Sequence, residues 1–106
     1  MDEIIKKLIE FRDERDWKQF HNPKDLALAL SIESGELLEA FLWKTAEEAD
    51  IEKIKEELAD VFAYAFLMAD LYGLDVQQII FDKIEKNAHK YPVSKTKGSA
   101  KKYSDL

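Results

Sequence analysis

Residues 26–42 read LALALSIESGELLEAFL, and residues 54–71 read IKEELADVFAYAFLMADL. Leu26 to Ile32, followed by Leu37, Leu38, Phe41 and Leu42, leave the first stretch apolar around most of a helical girth. Leu58 to Leu71 in the second is apolar almost without interruption. Helices of this kind are buried on most sides. The two remaining helices of one small chain cover such a pair poorly. The expectation is therefore a homo-oligomer, a homodimer or a homotetramer built as a dimer of dimers. The alternative is a central pair wrapped by the other helices within one subunit.

The flanks of these stretches carry helix signals. Asn22-Pro23 reads as an N-cap with proline at the first helical position, and Asp25 suits the positive start of the helix. This second helix should run to about Trp43 or Lys44. Asp50 is placed to cap a third helix that reaches about Tyr72 and stops at Gly73. Upstream, Ile4, Ile5, Leu8 and Ile9 recur at helical spacing, predicting a first helix from about Asp2 to about Asp16. Downstream, Asp75 with Gln78 resembles a capping box for a fourth helix that ends near Tyr91-Pro92. Four helices with short connections predict an all-α, four-helix bundle-like fold. The chain reads as one domain over residues 1–106, with residues 92–106 as a basic C-terminal tail.

Composition narrows the function. A chain of 106 residues buries only a thin core, so burial against another subunit would help it. The lack of cysteine removes disulfides and thiolate metal sites. A net charge of −6 argues against a nucleic-acid binder. No secretory segment and no apolar run of membrane-spanning length is read, so the expected location is cytoplasmic and no membrane partner is expected.

The chemistry lies where the greasy helices are interrupted by acids. Glu33, Glu36 and Glu39 break the surface of the second helix, and Glu57 and Asp60 that of the third. Residues three apart are neighbours on a helix face, so Glu33 projects with Glu36 and Glu57 with Asp60. Side-by-side packing would bring four carboxylates together. Acid pairs at this spacing are common and usually face water, but these have apolar flanks. Buried carboxylates are costly unless neutralised, and no lysine or arginine lies between Lys24 and Lys44 to do so. Two divalent ions would balance four negative charges. An all-oxygen donor set suits Mg²⁺, with Mn²⁺ as a substitute. Neither pair has the Glu-x-x-His form of di-iron bundles, and His21 and His89 match no zinc spacing.

Two further groups stand out. Lys83, Asn87 and Tyr91 recur four apart on the fourth helix, in a stretch made basic by Lys86, Lys90, Lys95, Lys97, Lys101 and Lys102. Such a stretch is either a solvated terminus or a cationic clamp for phosphates. Trp17, Phe20 and His21 cluster in the first loop, Trp43 ends the second helix, and Tyr64 lies one turn beyond Asp60. Aromatics like these are commonly core, but stacked on a base each contributes about 1–3 kcal/mol.

Glu33-x-x-Glu36, twenty residues and then Glu57-x-x-Asp60 resembles the signature of the MazG-like, all-α nucleoside triphosphate pyrophosphatases. The stretches RDWKQFHNP (15–23), SIESGELLEAFLWK (31–44), EELADV (56–61), KNAHKYP (86–92) and KGSAKKYSDL (97–106) are similar to its dCTP pyrophosphatase branch. That resemblance implies Mg²⁺ held by Glu33, Glu36, Glu57 and Asp60, with Glu39 close by. It implies phosphate contacts from Lys83, Asn87 and Tyr91, and enclosure of base and sugar by Trp17, Trp43 and Tyr64 with His21 nearby. It also implies dimers or tetramers whose sites draw on more than one subunit. The activity implied is hydrolysis of dCTP or a modified pyrimidine nucleotide to monophosphate and pyrophosphate, with Glu36 or Glu39 as the base, in housecleaning of the nucleotide pool. The sequence departs from the branch at Leu8, where dCTP-cleaving relatives carry histidine. The rival readings are the same fold acting on dUTP or another nucleotide, and a non-catalytic helical binding or interaction module. The second would predict decayed acids, yet all four are present.

Overall fold

The computed structural model describes residues 2–101. Five helices run in the order α1 (Asp2–Glu14), α2 (Pro23–Glu39), α3 (Ile51–Leu71), α4 (Val76–Lys90) and α5 (Val93–Thr96), with 3-10 turns at Lys18–Phe20 and Ala46–Glu48. Lys102 and the rest of the closing motif lie outside the described residues. The chain divides into two compact units, Met1–Leu74 and Asp75–Leu106. The first holds α1 to α3, with α3 packed against α2 and, less extensively, α1.

Local side-chain chemistry sets the helix starts. The Asp25 amide donates to Asn22 Oδ1 at 2.9 Å, and Pro23 occupies the first turn, where a missing N–H costs nothing. Asp50 accepts from the Glu52 amide at 3.0 Å, and Asp75 from the Gln78 amide at 2.9 Å. At α4 only that half of the expected capping box forms. The Gln78 side chain turns forward instead and donates to Asp82 at 2.9 Å. The reciprocal box stands at Thr45 and Glu48, ahead of the 3-10 turn.

The helix ends differ more from expectation. Helix α3 stops as its glycine predicts: Gly73 has φ 66°, and the Leu74 amide reaches back to the Ala69 carbonyl at 2.9 Å. Helix α1 ends in the same motif without a glycine. Asp16 takes φ 54°, and the Trp17 amide donates to the Arg12 carbonyl at 3.1 Å. A short polar side chain tolerates this left-handed turn, which folds Trp17 back edge-on against Phe11, ring centroids 5.8 Å apart. Helix α2 ends at Glu39, earlier than Trp43 or Lys44. The amides of Ala40, Phe41 and Leu42 shift to carbonyls three residues back, and the turn closes at Trp43 with φ 61°. The expected tail begins with one ordered turn, α5, where Thr96 Oγ1 donates to the Pro92 carbonyl at 2.7 Å.

The core is thin. Leu26, 2% exposed, is the one large side chain fully buried among the described residues, and Ala40, Leu67 and Ala69 are the other buried apolar residues of the first unit; in the second, Val76 is buried. Ile32, Leu38, Leu42 and Phe62 in the first unit are exposed, as are Ile80, Phe81 and Ile84 in the second. No helix among the described residues is long and apolar enough to cross a membrane.

Candidate active site

Helices α2 and α3 bring three acids together. One carboxylate oxygen from each of Glu33, Glu36 and Glu57 lies within 4.8 Å of the other two. Glu33 and Glu57 are half-buried, and the Oε2 atom of each is buried without a hydrogen-bond partner. Burial, a proton shared with Glu36, and the charges of Glu36, Asp60 and Glu57 push the Glu33 carboxyl up to about 7. Glu57 is raised as well, by burial first and then by Glu36 and Asp60, with Lys53 opposing. Both shifts run in the direction expected of carboxylates crowded together away from water. Orphaned carboxylate oxygens from two helices, converging with a third, form a set of hard donors that fits a divalent cation.

The remaining acids stand around this trio. Asp60 lies outside it, close enough for its charge to act on Glu33, Glu57 and Tyr64. Glu39, the last residue of α2, is exposed and also outside the trio.

Asp60 leads into a cavity of about 430 Å³ between α1, the first loop and α3. Trp17, His21 and Tyr64, singled out from the sequence, share its wall. His21 meets Tyr64 edge-on, with ring centroids 6.4 Å apart. The His21 imidazole is held below its usual range by burial and then by the charge of Arg12, so it stays neutral, and its buried Nδ1 has no partner. The Tyr64 hydroxyl is held up by burial and by Glu33, Asp60 and Glu36, which keeps it protonated. Alanines at 59 and 63 on the facing side of α3 leave the space open.

Trp43 is not part of this wall. At 93% exposed, it projects from the end of α2 into solvent. Lys83 and Asn87 stand one turn apart on α4, and Tyr91 is its C-cap, its amide donating to the Asn87 carbonyl at 2.8 Å. All three belong to the second unit.

Leu8, where the sequence departs from its dCTP-cleaving relatives, lines the cavity, and on the same helix Phe11 and Arg12, which escaped the reading of the sequence, line it as well. Arg12 is only 8% exposed. The available signal was its spacing, four residues after Leu8 on the apolar stripe of α1, where a charge is out of place.

The comparisons agree with this architecture. The model of the MazG-like family matches residues 28–106, which includes both acid pairs. The chain is 40% identical to dCTP pyrophosphatase 1 of Bos taurus over 114 aligned positions, spanning all of this chain and 68% of that protein. It is 36% identical to the Homo sapiens dCTP pyrophosphatase 1, again across the whole chain and 67% of the relative. The crystal structure of a pyrophosphatase from Archaeoglobus fulgidus superposes with a TM-score of 0.78 at 38% identity, covering 87% of this chain and 92% of that one. With the family model spanning α3, α4 and most of α2, and an all-helical fold shared with a solved pyrophosphatase, the chain belongs to the MazG-like family.

Proposed function

We propose that the chain is a nucleoside triphosphate pyrophosphohydrolase that uses Mg²⁺ to cut dCTP, or a modified pyrimidine nucleotide, into monophosphate and pyrophosphate. The observation that carries this reading is the trio of Glu33, Glu36 and Glu57, with two buried oxygens lacking any partner, close to Asp60, which lines a cavity of about 430 Å³. Relatives named dCTP pyrophosphatase support the substrate class.

Glu33, Glu36, Glu57 and Asp60 would hold the cation, with Mn²⁺ as a substitute. A divalent ion there supplies charge neutralisation for the phosphates and acidifies bound water. The protein's own residues supply the rest. Glu36 lies within the trio and would hold the cation, and Glu39, on the same helix and outside the trio, would take the proton from the attacking water. The water oxygen bonds to the α-phosphorus, the bond from that phosphorus to the bridging oxygen breaks, and pyrophosphate departs. Lys83, Asn87 and Tyr91 would hold the departing phosphates, and Trp17, His21 and Tyr64 the base and sugar.

The exposed Ile32, Leu38, Leu42 and Phe62 support self-association, as a homodimer or dimer of dimers. A second subunit would then supply Trp43 to its neighbour's cavity. The role is housecleaning of the nucleotide pool, in the cytoplasm.

The test is a panel of nucleoside triphosphates incubated with Mg²⁺ and assayed for pyrophosphate. Turnover of a pyrimidine triphosphate is expected, and Glu36→Gln or Asp60→Asn should abolish it while the helices stay folded. Full activity in either variant would remove the site assignment.

A further inference from the structure

Phe11 and Trp17 form an aromatic corner of the cavity wall, yet both are exposed. Rings so exposed are held in place only by what touches them. The group that touches them is Arg15. Its guanidinium carbon lies 3.6 Å from the Phe11 ring centroid and 6.0 Å from that of Trp17. Its Nη1 donates to the Phe11 carbonyl at 2.9 Å, so the stacked plane is also tied to backbone. Trp17 stands edge-on to the same Phe11 ring, with centroids 5.8 Å apart. Arg15 is not among the residues that line the cavity, so it bears on this corner without entering it.

The turn beneath the corner is fixed as well. Asp16 takes φ 54°, which folds Trp17 back toward α1. Gln19 Nε2 donates to the Asp16 carbonyl at 2.9 Å and to its carboxylate at 3.1 Å, holding that left-handed residue from the far side. The charge of Arg15 has one other partner, Glu14 Oε2 at 3.7 Å, in an exposed pair of the kind that contributes little. What remains specific to arginine is its plane, which stacks on a ring face while its N–H groups reach an acceptor beside it.

We infer that Arg15 is a positioning residue: stacked on Phe11 and bonded to its carbonyl, it holds the Phe11–Trp17 corner in the conformation that receives the nucleoside. The inference rests on the pyrophosphohydrolase reading above and adds to it a residue outside the cavity. Rings fixed beforehand need not be ordered when the nucleotide arrives, so binding is tighter. The gain is shared by substrate and transition state, and it belongs in KM with kcat unchanged.

The experiment measures kcat and KM, with Mg²⁺, on the pyrimidine triphosphate that is cleaved fastest. It uses the wild type, Arg15→Met, Phe11→Leu, the double variant and Glu14→Gln. Arg15→Met should raise KM about two- to five-fold at constant kcat, the scale of one exposed cation–π contact. A fall in kcat at constant KM would overturn the inference. In Phe11→Leu no ring remains to be held, so adding Arg15→Met should raise KM no further, and additive increases would overturn it too. Glu14→Gln should keep the wild-type KM, because the ion pair is not the working contact. A rise matching that of Arg15→Met would transfer the effect to charge and refute the stacking.

A second measurement needs neither turnover nor nucleotide. In a Trp43→Phe background Trp17 is the only tryptophan, and Arg15→Met should increase its quenching by acrylamide. Unchanged quenching would refute the hold of Arg15 on the corner and leave the hydrolase standing. Failure to cleave any triphosphate would remove the hydrolase reading, and with it the nucleoside's claim on this corner, whatever the quenching shows.

Discussion

The imidazole of His21 meets the ring of Tyr64 edge-on, with centroids 6.4 Å apart and planes inclined at 67°. This contact ties the first loop to α3 and so joins the two halves of the site. Tyr64 stands one turn beyond Asp60, and its hydroxyl feels Glu33, Asp60 and Glu36. His21 feels the charge of Arg12 instead. One aromatic pair therefore stands between the carboxylates that act on Tyr64 and the guanidinium that acts on His21.

Tyr64 is expected to serve nucleotide binding through its ring more than through its hydroxyl. Tyr64→Phe should change KM for the preferred triphosphate only a few-fold. Tyr64→Ala should weaken binding by about 1–3 kcal/mol, the value of one base–aromatic contact. Steady-state kinetics on both variants decides it. Equal effects from the two substitutions would show that the hydroxyl carries the interaction.

Glu33 and Glu57 should destabilise the protein until a cation arrives. Glu33→Gln removes one charge from the trio with little change of shape. In metal-free protein near pH 8 the variant is expected to melt higher than wild type. A domain of this size gains roughly 4 °C or more per kcal/mol of relieved repulsion. Addition of Mg²⁺ should then raise the wild-type melting temperature and leave the variant nearly unchanged, reversing the order. A Mg²⁺ response equal in both proteins would exclude Glu33 from the donor set.

The same cluster sets a pH dependence. The Glu33 carboxyl is held near 7 in the folded chain, against an ordinary value of 4.5. Between those values the native state keeps a proton that the unfolded chain releases. Metal-free stability is thus fullest below the ordinary value and is lost as pH rises through the raised one. Protons and cation compete for the same oxygens, so Mg²⁺-induced stabilisation should be weak at pH 5.5 and grow toward pH 8. Thermal melts across that range, with and without Mg²⁺, measure it. A pH-independent Mg²⁺ effect would place the cation elsewhere.

The sequence revealed features whose cause is local. Asn22, Asp50 and Asp75 cap helices because each side chain reaches its own backbone two or three residues on, and Gly73 ends α3 because it turns left-handed freely. Glu33, Glu36 and Glu57 were visible because i,i+3 spacing on an apolar helix leaves acids one direction to point. The left-handed stops at Asp16 and Trp43 carried no such sign, so α1 and α2 end earlier than their patterns run. Arg12 was hidden among the charges of a mixed helix, and it became conspicuous only once the wall around it was seen to be apolar.

Trp43 yields the last prediction, because its backbone and its side chain point to different requirements. With φ 61° it occupies a conformation that costs a bulky residue about 1–2 kcal/mol and that glycine adopts freely. Trp43 is 93% exposed, so no packing among the described residues repays that strain. Glycine gives back roughly 0.5–1 kcal/mol through the entropy of the unfolded chain. Trp43→Gly is therefore expected to leave the melting temperature of dilute, nucleotide-free protein unchanged or slightly higher. If the indole closes over a second subunit's cavity, the same variant should bind nucleotide several-fold more weakly. Light scattering should report whether association is weakened as well, and mixing Trp43→Gly with a cavity-defective Glu36→Gln chain separates the two roles. In a mixed dimer the intact cavity comes from the Trp43→Gly chain and the intact indole from the Glu36→Gln chain. Recovery of turnover on mixing is the expected result, and its absence under conditions where mixed dimers form would return Trp43 to a purely structural place.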